Sequence, residues 1–197
     1  MFKNKKILFV LSHLDDETFG FGGMLNRLKI DNDIHFMVMC KGRDEANSKA
    51  RLNTFMRILV KYNITKNDFY LGEEYDMEID NILLKNLTEI IQENIDKIQP
   101  DIIITNSYAD LHQDHQKVSH AVKICCRRKV AAELYELHIP GCEPFPSKNF
   151  EKAYFDTSFK LTDEEFQIKN EMCKMYSTEK FPDIQDHEYL RTVYRRF

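Results

Sequence analysis

The chain has no tryptophan, and only six glycines, five prolines and five cysteines among its 197 residues. The cysteines, Cys40, Cys125, Cys126, Cys142 and Cys173, are odd in number and contain no Cys-x-x-Cys pair. That pattern argues against a disulfide framework and against a thiolate zinc site, and it fits a reducing cytoplasm. Excess positive charge is also missing: 28 Lys and Arg against 32 Asp and Glu leave a net charge of −4. The basic footprint of a nucleic-acid-binding protein is therefore absent. Arg127-Arg128-Lys129 and Arg195-Arg196 read as solvated surface. No apolar run approaches the length of a membrane span. The run after Lys3, Lys5 and Lys6 is too short for a signal peptide and soon meets Asp15. Gly20-Phe21-Gly22-Gly23 lacks the third glycine of a dinucleotide fingerprint, because position 25 is Leu.

What is present is a 43% apolar chain of a size that makes one domain over residues 1–197 the expectation. Short apolar runs alternate with longer helical patterns. Strands are expected at Lys6–Ser12, Ile34–Cys40, Phe69–Leu71, Asp101–Thr105, Glu133–Ile139 and Ala153–Asp156. Helices are expected at Phe19–Lys29, Lys49–Tyr62, Asn81–Ile98, Gln116–Lys129 and Asp163–Met175. Several strands are almost continuously apolar, as in a sheet covered on both faces. In the third helix Ile82, Leu83, Leu87, Ile90, Ile91, Ile95 and Ile98 form an apolar stripe. Thr162 and Glu165 have capping-box spacing. The stretch Lys41–Ser48 reads as a polar loop. The tail Ser177–Phe197 has weak periodicity and is expected to pack over the sheet edge or to be partly mobile. The alternation predicts an α/β, Rossmann-like fold: a mostly parallel sheet of order near 3-2-1-4-5 with helices on both faces.

Two clusters carry the chemistry. Ser12-His13-Leu14-Asp15-Asp16-Glu17 follows the first strand, and Asp110-Leu111-His112-Gln113-Asp114-His115 follows the fourth. In a 3-2-1-4-5 sheet these strands are neighbours at the switch point, so the clusters should face each other across the ligand-binding crevice. Imidazoles with carboxylates suit zinc, and two His with one carboxylate also suit Fe(II). His13 and Asp16, three residues apart, can converge on one ion, with His115 as the natural third ligand. Such an ion would activate a water for hydrolysis. Asp15 is then the candidate general base. His112 is placed to stabilise an oxyanion or to protonate a leaving group, as an imidazolium favoured by Asp114. Asp114 can also orient an imidazole and fix its tautomer. Gly20, Gly22 and Gly23 would let the first helix approach the sheet closely.

His13-Leu14-Asp15-Asp16-Glu17 with Gly20-x-Gly22-Gly23, and His112-Gln113-Asp114-His115, resemble the motifs of the LmbE-like (PIG-L) metal-dependent N-deacetylases. Leu14 and Gln113 stand where that family usually has proline, and Asn53 where a Glu is common. The resemblance implies a Rossmann-like fold with zinc held by His13, Asp16 and His115. It implies Asp15 as base, His112 as stabiliser of the tetrahedral intermediate, and Arg51 as a substrate-contacting residue. It further implies hydrolysis of the linear amide of an N-acetylated amino-sugar conjugate, such as an N-acetylglucosamine derivative. Two other readings are a metallo-β-lactamase-like hydrolase, from Asp110-x-His112-x-Asp114-His115, and a non-catalytic sugar- or nucleotide-binding protein on the same fold.

Overall fold

The computed structural model describes residues 2–64, 67–127, 132–142, 157–176 and 187–194. Five parallel strands lie in the order expected: β1 (Lys6–Leu11), β2 (Asp33–Cys40), β3 (Asn67–Glu74), β4 (Ile102–Asn106) and β5 (Glu133–Leu137). The full order is β3-β2-β1-β4-β5-β7-β6, with β6 (Thr157–Lys160) and β7 (His187–Tyr194) completing one edge. β7 runs antiparallel to β5, Leu137 pairing with Leu190, and β6 runs antiparallel to β7. Part of the tail thus extends the sheet as a strand, which its weak alternation did not reveal. The strand expected at Ala153–Asp156 lies outside the described residues, as do Arg128 and Lys129.

β1 shows why the sheet is central. Ile7, Phe9 and Leu11 point into one apolar cluster, with helices α1 (Asp16–Leu28), α2 (Glu45–Lys61) and α5 (Asp163–Met175). Leu8 and Val10 point into the other, with α3 (Leu84–Ile98) and α4 (Gln113–Cys126). The period of two that defines a strand therefore feeds two cores, each closed by its own helices. A short 3-10 turn, Ile79–Asn81, precedes α3. A single sheet, parallel through β1 to β5, is incompatible with the two-sheet sandwich of a metallo-β-lactamase-like hydrolase.

The packing of α1 departs in part from expectation. At Gly20 an added Cβ would lie 2.4 Å from Leu137 Cδ1 on β5, as a close approach to the sheet requires. Gly22 and Gly23 face α5 instead: a Cβ on Gly23 would lie 2.9 Å from the Glu165 carbonyl oxygen. The capping box at the start of α5 forms as spaced, Thr162 Oγ1 accepting from the Glu165 amide at 3.2 Å and Glu165 accepting from the Thr162 amide at 2.8 Å. Arg27 of α1 donates to Glu165 at 2.7 Å and ties the two helices together.

Candidate metal centre

β1 and β4 pair in parallel, Val10 with Thr105, so the turns that follow them open side by side at the carboxyl edge of the sheet. The first turn carries His13 and leads into α1; the second leads into α4. Both helices begin earlier than their apolar periodicity suggests, α1 at Asp16 and α4 at Gln113. The site residues themselves make up the first helical turns.

His13 Nδ1 and His115 Nε2 lie 3.0 Å apart. The other nitrogen of each ring is taken: His13 Nε2 sits 3.1 Å from Asp114 Oδ2, and His115 Nδ1 sits 2.7 Å from Asp110 Oδ2. Each carboxylate accepts the N–H of its imidazole and so fixes the tautomer. The lone pairs of His13 Nδ1 and His115 Nε2 are then aimed at each other, which is repulsive unless a cation or proton lies between them. Asp16 completes this point, 3.5 Å from His115 Nε2 and 3.9 Å from His13 Nδ1. Its Oδ2 accepts from the His13 amide at 3.0 Å and from Asn106 Nδ2 at 2.9 Å. The Asn106 amide is itself oriented by Ser12, whose N–H and hydroxyl donate to Asn106 Oδ1. These residues are all buried. Two imidazole nitrogens and a carboxylate at these separations fit a zinc-type donor set.

The electrostatics agree. Burial alone would raise the Asp16 pKa, yet His115, His13 and the hydrogen bonds hold it below the ordinary carboxylate range. Burial would lower that of His115, but Asp16, Asp110 and Asp114 raise it. The pocket is tuned to favour positive charge beside an ionised Asp16.

His112 lies against both rings, 4.6 Å from His115 and 4.7 Å from His13 between centroids. His13, His112 and His115 offer nitrogens all within 4.8 Å of one another. The imidazolium expected at His112 is not what the structure favours. Its Nδ1 accepts from the Asp114 amide at 3.3 Å, which leaves the proton of a neutral ring on Nε2. Burial, then the neighbouring His13 and His115, push its pKa below the ordinary histidine value, outweighing Asp114. Asp114 Oδ2 serves His13 and the Met77 amide (2.7 Å) instead.

Asp15 sits at φ 151°, an unfavourable region for a residue with a side chain, and does not cap α1 with its carboxylate. That carboxylate pairs with Arg51 at 3.4 Å, and Arg51 also donates to Asp76 at 3.0 Å. Arg51 is buried, so the structure gives it the task of holding Asp15 and Asp76. Asp110, Asp76 and Asn106 carry no role in the sequence reading. Asn106 does carry a signal, as a polar residue closing an apolar strand at the ligand-binding edge. The roles of Asp76 and Asp110 depend on contacts that only the fold creates.

A parallel doubly wound sheet with histidines and carboxylates at its switch point defines a Rossmann-like α/β protein with a candidate metal centre. Residues 8–126 match the PIG-L family, described as GlcNAc-PI de-N-acetylase, and the chain belongs to that family. No curated protein matches the chain. Among solved structures, a teicoplanin-bound deacetylase of teicoplanin biosynthesis superposes with a TM-score of 0.71 at 15% identity, covering 88% of this chain and 87% of that one. The N,N'-diacetylchitobiose deacetylase of Pyrococcus horikoshii gives 0.70 at 14%, covering 96% and 84%. The 4-carboxy-2-hydroxymuconate hydratase GalB of Pseudomonas putida gives 0.66 at 14%, covering 98% of both chains. Likeness at this identity shows the fold, which hosts more than one chemistry.

Proposed function

We propose that the protein is a metal-dependent N-deacetylase that hydrolyses the acetamide of an N-acetylated amino-sugar conjugate. The observation that carries this reading is the convergence of His13 Nδ1, His115 Nε2 and the Asp16 carboxylate, with Asp114 and Asp110 holding the outer ring nitrogens. It occurs in a chain of the GlcNAc-PI de-N-acetylase family. His13, Asp16 and His115 would hold Zn2+, or Fe2+ with the same donors. When bound, the ion supplies Lewis acidity and makes a water acidic enough to attack at neutral pH.

The remaining steps belong to the chain. Asp15, oriented by Arg51, takes a proton from the attacking water and passes it to the departing amine nitrogen. His112 donates from neutral Nε2 to the carbonyl oxygen as negative charge develops there. Asp114 and Asp110 keep the two ligand imidazoles in the required tautomers. With five free cysteines and no helix of the described residues long and apolar enough to cross a membrane, a small-molecule substrate met in the cytoplasm fits the chain.

The test is release of acetate from N-acetylglucosamine, N,N'-diacetylchitobiose and GlcNAc-PI by zinc- or iron-loaded protein. At least one should be deacetylated, and Asp15→Asn should abolish most of the turnover. Metal binding without acetate release from any acetylated sugar would support the non-catalytic reading. Hydration of an enoic acid without deacetylation would align the chain with the hydratase.

A further inference from the structure

The side of His13 remote from Asp16 holds a second convergence of donors. Nε2 lies 3.1 Å from Asp114 Oδ2 and 3.9 Å from Asp76 Oδ1, and Cys40 Sγ lies 4.0 Å from Asp114 Oδ2. Donor atoms of His13, Cys40 and Asp76 all fall within 4.8 Å of one another. Cys40 ends β2, Asp76 follows β3, His13 follows β1, and Asp114 lies in the first turn of α4 after β4, so the ends of four neighbouring strands, β3-β2-β1-β4, meet here. Ligands on one tetrahedral zinc ion stand roughly 3.3–3.5 Å apart, given bonds of about 2.0–2.3 Å. The observed separations need only small adjustments to reach that spacing.

Two further observations point to a missing cation. Asp76 Oδ1, 3.9 Å from His13 Nε2, is buried and accepts no hydrogen bond, on a side chain only 10% exposed. A buried carboxylate oxygen left without a donor is costly. The local charge is also unbalanced. Five largely buried carboxylates, Asp15, Asp16, Asp76, Asp110 and Asp114, surround one buried guanidinium, Arg51. With neutral imidazoles four negative charges remain, and one divalent ion at the first centre cancels only two.

We propose that Cys40, Asp76 and Asp114, with His13 Nε2 as fourth donor, form a second cation site that takes a soft divalent ion such as Zn2+ and shuts down the neighbouring centre. The thiolate selects zinc or cobalt over Mg2+ and Ca2+. Filling the site releases two protons, one from the Cys40 thiol and one from His13 Nε2, whose ring then bridges the two ions. Burial, reinforced by Asp114 and Asp76, holds the Cys40 thiol protonated far above its usual range. The second ion must displace that proton, so it binds more weakly than the first and tightens as pH rises. Its arrival removes the His13–Asp114 hydrogen bond that fixes the ligand tautomer, and loss of such a partner costs about 10–100-fold in activity. The site itself stands on the geometry; only the shutdown rests on the deacetylase reading.

Metal-free protein titrated with Co2+ tests this. The wild type should bind two ions, and the weaker should bring in a thiolate-to-cobalt charge-transfer band. Cys40→Ser should bind one ion without the band. His115→Ala should lose the tighter ion and keep the band. Deacetylation should rise with the first equivalent of zinc and fall at least tenfold with the second, whereas Cys40→Ser should rise and stay high. One ion and no band in the wild type, or two ions in Cys40→Ser, would overturn the site. If Cys40→Ser folds poorly, a band that survives Cys142→Ser, the other thiol beside the first centre, decides for Cys40, and a band lost with Cys142 overturns the site. Two ions with the band but no acetate release in any metal state would leave the site standing and sink the deacetylase reading, and with it the shutdown.

Discussion

Asp15 and Asp16 are adjacent and chemically identical, yet their surroundings separate them. Asp16 accepts from a backbone amide and from Asn106 and faces both imidazoles; Asp15 faces Arg51. Asp16→Asn should therefore empty the metal site, whereas Asp15→Asn should retain metal and lose about 10²–10⁴ in rate. Metal analysis beside kcat checks the division, and equal metal loss in both would refute it. His112→Ala should lower kcat more than it raises KM, at normal metal content. Because the structure favours a neutral His112, the alkaline limb of the pH–rate profile should survive that substitution; its disappearance would restore an imidazolium donor. Next to them Glu17 is fully buried, and burial lifts its pKa from an ordinary 4.5 to about 7. The folded state then holds a proton that the unfolded state releases between those values. Stability is fully present below pH 4.5 and lost as pH rises to 7, by roughly 3 kcal/mol. Glu17→Gln should flatten the dependence of melting temperature on pH across this window. An unchanged slope would show that Glu17 is ionised in the folded protein.

At the scale of elements, the first turns of α1 and α4 hold Asp16 and His115. Each is polar because it binds rather than packs, so the apolar period begins a few residues late and the true start resembles a loop. α2 begins at Glu45, capped by Asp44, inside the stretch that reads as loop. The strands were legible because continuous apolar runs leave little choice, and right-handed crossovers then order them. The antiparallel β6–β7 pair was not legible, since strands added antiparallel at an edge need no such runs. The last helix also reaches the site: Tyr176, just beyond α5, donates to Glu17 Oε1 at 2.8 Å, and its ring contacts Phe19. A strained Asp15 turn needs such outside restraint. Tyr176→Phe should lower kcat several-fold with KM little changed, while Glu17→Gln, which still accepts the hydroxyl, should stay near wild type. A drop in melting temperature with unaltered kcat would make the contact structural only. Gly23→Ala should destabilise by about 1–3 kcal/mol in urea, less a gain in helix propensity of up to about 1 kcal/mol, because backbone at Glu165 blocks the new Cβ.

For the whole molecule, the sheet and its two cores close without any ligand, since the central strands β1, β2 and β4 are buried by helices on both faces. Chelation should therefore abolish turnover while leaving helix content intact by circular dichroism; unfolding on chelation would mark a structural ion. The sequence placed His13, Asp16 and His115 at one crevice through topology alone. It could not show Asp76 and Arg51 at their partners, because those contacts join residues on separate elements, nor that the turn before α4 folds Asp110 back onto His115. The central claim is that these turns make one hydrolytic metal centre, and a crystal of zinc-loaded protein measured at the zinc absorption edge tests it most directly. An anomalous peak about 2.0–2.2 Å from His13 Nδ1, His115 Nε2 and an Asp16 oxygen is expected. A principal peak ligated by His112 in place of Asp16, or lying away from His13 and His115, would contradict it.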